Sequence, residues 1–203
     1  MCLLHYIGGA FTHKPEELRD GLSQQAADLI KRSFEDIDPQ RLLDYHTHIA
    51  GLGKGGTNAF INPKMQTWKH PLDRLKFKVY LSAGDVKDLE QADAQVVERL
   101  VRLVSNIEGH GRHRLLAFDK NYNRDGSANL QKTEFYVPND YVFAIAEQYP
   151  DCFEPVMSVN PYRADAGAQL NAAPDGGRAS SSGCPMRWGS ILPIHFAIRS
   201  IKR

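Results

Sequence analysis

Residues 41–48 read Arg41-Leu42-Leu43-Asp44-Tyr45-His46-Thr47-His48, and the glycine-rich stretch Gly51–Gly56 follows at once. An apolar start that runs into a polar pair and then into glycines is the pattern of a short buried strand, here from Arg41 to His46, feeding a loop. Side chains alternate along a strand, so Asp44, His46 and His48 are expected on one face. Histidines two apart stand about 7 Å from each other by backbone rise, which lets both imidazoles meet on one ion just beyond the strand end. Neutral imidazole suits zinc and similar borderline metals, so a divalent ion, zinc first, is the expected cofactor and His46 and His48 its expected ligands. Two histidines also fall two apart by chance. The apolar residues before this pair and the long loop after it favour the ligand reading.

Outward from this stretch, helices and strands alternate. Leu22, Ala26, Leu29, Ile30 and Phe34 follow a 3.6-residue period, with Ser23 or Asp20 as cap, and predict a helix over 22–35 inside an N-terminal segment 1–38. Leu72, Leu75, Val79 and Tyr80 suggest a second helix. Val96, Val97, Leu100, Val101, Val104 and Ile107 give the clearest one, over 93–107, stopped by Gly109 and Gly111. Arg114–Asp119 reads as a strand and 120–133 as a loop. Asn139 is the expected N-cap of a helix that Pro150 closes; a strand over 153–159 and a helix over 165–173 follow. The whole predicts an α/β protein with a parallel sheet, about the first three βα units of a TIM-type (β/α)8 barrel over residues 39–173. A complete barrel typically takes about 250 residues, more than the 203 here.

The 25 basic residues nearly balance 24 acidic ones, for a net charge of +1, and no long run of like charge occurs. Nucleic-acid binders concentrate basic charge, so no nucleic-acid partner is expected. No apolar run reaches the ~18 residues that span a bilayer, and the apolar start Met1–Ile7 lacks a signal peptide's basic region; no membrane partner is expected. Cys2, Cys152 and Cys184 are far apart and form no CxxC pair, which suggests no disulfide framework and a cytoplasmic location.

Functional sites of parallel α/β sheets lie beyond the carboxyl ends of the strands. Gly51–Gly56 contains the letters GxGxxG, but Thr57–Pro63 after it cannot open a helix, so a dinucleotide site is rejected. A lid or substrate loop remains, with Lys54 and Asn58 as candidate contacts. Asp119, Asn160 and Arg163 stand at the same end; they fit substrate contacts, and fit turn, cap or solvated roles equally well. His110 and His113 fall in a loop at the opposite end and are expected in solvent. No GxSxG nucleophile motif occurs, and Cys152 is expected to be buried.

His46 and His48 resemble the first metal-binding motif of the amidohydrolase superfamily. Tyr136–Glu147, Pro150-Asp151 and Ser158-Val159-Asn160-Pro161-Tyr162-Arg163 are similar to its amidohydrolase-related, metal-dependent hydrolase branch, which includes aminocarboxymuconate semialdehyde decarboxylase-like proteins. The resemblance covers roughly residues 40–170, and the family pattern has His where this chain has Asn160. It implies an ion held by the His pair plus a later His and Asp, and a metal-activated water that attacks a small carbonyl-containing substrate. Decarboxylation by the same kind of centre is the alternative, and a non-catalytic α/β module with incidental histidines is another.

From about residue 174 the periodicity stops. One choice of codons for Arg178–Ile191, read two bases out of frame, gives Ala-Arg-Ile-Ile-Lys-Trp-Leu-Pro-Asn-Ala-Met-Gly-Ile-Asp, a sensible strand and loop. The expectation is therefore a truncated hydrolase whose tail, 174–203, is frameshifted and disordered or non-native. Such a fragment should be inactive, bind metal weakly, and form a homo-oligomer or associate through an exposed sheet edge.

Overall fold

A computed structural model describes residues 13–107 and 109–171, and the backbone of 178–179. After a 3-10 turn at Pro15–Glu17 comes helix α1 (Gln24–Phe34), whose first turn is closed by Ser23 Oγ accepting from the Ala26 amide at 3.2 Å. Strand β1 (Leu43–His48) follows a short 3-10 turn at Pro39–Arg41. The loop after it carries a 3-10 turn at Lys54–Gly56, the two-residue strand β2 (Phe60–Ile61) and another 3-10 turn at Pro63–Gln66. Helix α2 (Pro71–Ala83) starts at a proline, whose missing amide costs nothing in a first turn. Then come α3 (Ala92–Ser105), β3 (Arg112–Leu116), β4 (Phe135–Tyr136), α4 (Asn139–Gln148), β5 (Phe153–Met157), α5 (Ala166–Asn171) and β6 (Arg178–Ala179).

β1, β3, β5 and β6 form one parallel sheet in that order, and helical connections carry the chain from each to the next. The described residues form an open sheet and no closed barrel. β2 and β4 pair antiparallel as a separate two-stranded ribbon. α3 and α4 cover one face of the main sheet. Val97, Val104, Val142, Ile145 and Ala146 from the helices meet Leu115, Ala117, Cys152 and Phe153, all buried. Burying an aliphatic or aromatic side chain of this kind contributes about 1.5–3 kcal/mol, which makes this cluster the main support of the sheet.

Several expectations need correction. β1 runs two residues later than its apolar letters suggest, and Asp44, Tyr45, His46 and His48 are exposed rather than buried. The reason is position: β1 is an edge strand of the described sheet. β3 starts at Arg112, because Gly111 with φ 67° passes so close to Leu42 that a Cβ there would lie 2.3 Å from its carbonyl oxygen. Asn139 is the first helical residue, not the cap; its side chain bridges to Ser158, accepting from the amide at 2.8 Å and donating to the carbonyl at 3.3 Å. Of the tail expected to be non-native, the backbone of β6 is described, hydrogen-bonded beside β5; the rest of 174–203 lies outside the described residues, as do residues 1–12.

Candidate metal centre

The two histidines do meet. His46 Nε2 and His48 Nε2 are 2.9 Å apart, with ring centroids 4.7 Å apart and planes at 82°. The backbone explains why. Asp44 pairs with His113 and Thr47 with Leu115, so three steps along β1 match two along β3 and the strand bulges between them. Asp44 Oδ1 accepts from the His46 amide at 2.8 Å inside that bulge. Strict alternation is broken as a result. Asp44 and Thr47 both reach His113 Nδ1, at 3.6 and 3.4 Å, and Asp44 is not part of the histidine pair.

Ligands at about 2.0–2.1 Å from one zinc ion and 2.9 Å from each other subtend roughly 90° at the metal. A tetrahedral angle needs them about 3.3 Å apart, an opening of a few tenths of an ångström that an exposed pair can make. Partial desolvation, then the neighbouring His46, pushes His48 below the usual histidine value, which favours the neutral ring a metal needs. Among the described residues no third His, Cys, Asp or Glu joins the pair. Two imidazole nitrogens this close are donors of the type a divalent metal takes, one fewer than the three protein ligands of a catalytic zinc.

Phe118 lies beside the pair, its ring 6.4 Å from that of His48, and stacks on Phe135 at 4.4 Å. Asp119, Asn160 and Arg163, read as candidate substrate contacts, come together after β3 and β5 and bind one another. Asp119 is buried and accepts from the Asn160 amide at 2.8 Å, Arg163 Nη1 at 3.1 Å and the Tyr122 hydroxyl at 3.2 Å. Asn160, also buried, donates from Nδ2 to the Lys120 carbonyl at 2.8 Å and accepts from the Tyr162 amide at 3.0 Å. Burial and the Asp119 charge push the Tyr122 phenol up to about 12. Arg163 also holds Asp165, whose carboxyl drops to about 2. This network fixes the loops after β3 and β5; its polar atoms are spent on the chain itself.

Lys54 and Asn58 sit elsewhere. They line a cleft of about 720 Å³ with Glu90, Tyr136, Tyr141 and Tyr149, and none of His46, His48, Asp119, Asn160 or Arg163 borders it. Lys54 Nζ is 2.7 Å from Glu90. The five candidate contacts therefore fall into two groups in different places.

The residue that sequence reasoning missed is Asp93. It is buried at the start of α3, and its carboxylate accepts from the Leu52 amide at 2.6 Å, the Gly53 amide at 3.1 Å and the Thr57 hydroxyl. This anchors the glycine loop directly after the histidines. The available signal was an acidic residue in a first helical turn, which suits the helix dipole and also finds amides from elsewhere. His113 needs correction too: it lies within β3, and its side chain is 16% exposed rather than solvated. Cys152 is buried and free, as expected.

Comparison of the chain with protein-family models, with characterised proteins and with solved structures finds no match in any of the three. No helix among the described residues is long and apolar enough to cross a membrane.

Proposed function

We propose that His46 and His48 are paired ligands of a divalent cation, zinc by preference, in a metal-dependent hydrolase of the amidohydrolase type. In this reading the parallel sheet represents about the first three βα units of a (β/α)8 barrel. The carrying observation is the 2.9 Å approach of the two Nε2 atoms at the carboxyl end of β1. A divalent ion there would supply Lewis acidity and a water ionised near neutral pH, for attack on a small carbonyl-containing substrate. The chain's own residues lower the proton affinity of His48, anchor the following loop through Asp93, and brace the neighbouring loops through Asp119, Asn160 and Arg163. A catalytic zinc takes three protein ligands, and among the described residues two are on hand, so this pair by itself holds the ion weakly and needs a further ligand for catalysis. The edge of β1 that no described strand covers is a place where such a contribution, or a second copy, can associate. The buried free thiol of Cys152 and the scattered cysteines suit a cytoplasmic setting.

One observation favours a second reading. At 2.9 Å a neutral imidazole donates to its neighbour, so the pair can satisfy itself in a non-catalytic α/β module. Equilibrium dialysis against zinc separates the two. The hydrolase reading expects His46→Ala and His48→Ala each to weaken binding by roughly tenfold or more. Equal zinc content in all three proteins would leave the non-catalytic module standing.

A further inference from the structure

We propose that the outward face of α2, with the Trp68 turn before it, is a docking surface for anionic lipid headgroups that holds the protein flat against a membrane without crossing it. α2 has two apolar sides. Phe77 is buried on one, and at 100° per residue Leu72, Leu75 and Val79 share a narrow arc on the other. That second arc faces outward: Leu72 is 76% exposed, Leu75 49% and Val79 45%, and Trp68 ahead of the helix is 77% exposed. Lys76 and Lys78 flank the arc, one on each side, where their stems can lie along apolar surface while the ammonium groups reach headgroups.

Charge selects the occupant. Residues 63–80 hold Lys64, Lys69, Arg74, Lys76 and Lys78 against Asp73 alone, a net +4 in a chain whose total is +1. This stretch is therefore basic while the remainder of the chain is net acidic, and within it Lys76 and Lys78 are the cations that flank the exposed apolar arc. Arg74 is committed, stacked 3.7 Å above the Trp68 ring and bonded to the Gln66 carbonyl at 3.1 Å, and Lys76 lies 3.7 Å from Glu134. Lys64, Lys69 and Lys78 make no ion pair among the described residues. A second copy packed by two-fold symmetry on this face would set lysines against lysines. An exposed tryptophan, an apolar arc and lysines on both flanks are the features of an interfacial helix. With 13 residues α2 is too short to span a bilayer, so it lies in the headgroup plane.

Co-sedimentation of the full chain with phosphatidylcholine vesicles, with and without phosphatidylserine, tests this. Binding to the phosphatidylserine vesicles alone is expected, falling as salt is raised. Lys69→Ala with Lys78→Ala should weaken it about 25-fold, at roughly fivefold per basic residue. Leu72→Ser with Leu75→Ser should weaken it at least as much, and both pairs alter exposed side chains that make no ion pair or ring contact among the described residues, so circular dichroism should be unchanged. In a Trp188→Phe background, Trp68 emission should shift to the blue on adding phosphatidylserine vesicles. Equal binding to both vesicle types, or binding that survives both double variants, overturns the proposal. So does retention on polyglutamate without vesicle binding, which would assign the face to an acidic protein, or self-association that Leu72→Ser abolishes.

Discussion

Replacing Asp93 by alanine removes the anchor of the glycine loop, and the size of the effect can be worked from its contacts. The carboxylate is 2% exposed and accepts two backbone amides, Leu52 and Gly53, plus the Thr57 hydroxyl. Hydrogen bonds to a charged group are each worth about 1.5–3 kcal/mol, and a buried amide left without a partner costs about 1–3 kcal/mol. Neighbouring bonds are not additive, so Asp93→Ala is expected to cost about 3–5 kcal/mol in all. Gly51 tightens the case, because a Cβ there would stand 2.7 Å from Asp93 Oδ2; loop and carboxylate are packed against each other. For a chain of this length about 4 kcal/mol lowers Tm by roughly 8–15 °C. Asp93→Asn keeps the size but turns an amide NH2 toward donors, and should cost about 2 kcal/mol. Urea denaturation of the three proteins measures both numbers. A loss below about 1 kcal/mol for Asp93→Ala would refute the assignment of Asp93 as the loop's anchor.

Gly111→Ala meets the Leu42 carbonyl and a φ of 67° together, so it should cost more than about 2 kcal/mol in urea unfolding and loosen the β1–β3 register; an unchanged midpoint would contradict this. Burial pushes His113 below its ordinary 6.5, with Asp44 pulling the other way and His110 adding to the drop. The unfolded chain then binds the proton more readily, so this residue's contribution is present above about pH 6.5 and is lost as pH falls. Urea midpoints that fall between pH 7.5 and about 5.5, with a shallower fall in His113→Gln, are expected; a rise on acidification would reverse the sign. Asn160→Ala strands the Lys120 carbonyl and the Tyr162 amide, and should cost about 2 kcal/mol by the same assay. Full retention of stability would show that the loops after β3 and β5 do not depend on it.

Periodicity and caps carried the helices. The Ser23 cap, the Val97 and Val104 stripe of α3 and the Pro150 stop after α4 all have local causes, and the alternation of elements pointed to a parallel sheet in chain order. What the letters did not show depends on distant chain. The bulge in β1 exists only against β3, and it is what separates Asp44 from the histidine pair. β2 and β4 are two residues each, too short for any alternation to register. The exposure of β1 follows from its edge position, which no local pattern encodes. At the site, His46 and His48 were readable because two apart on a strand is a local geometry. That Asp119, Asn160 and Arg163 satisfy one another, and that Lys54 faces Glu90, are long-range facts.

Nitrogen-15 NMR of the imidazoles during a zinc titration asks most directly whether two rings share one cation. If both rings bind one ion, the Nε2 resonances of His46 and His48 move together, at the same zinc concentration, while His70, His110 and His113 stay in place. Movement of one ring without the other, or of a different histidine first, would contradict it.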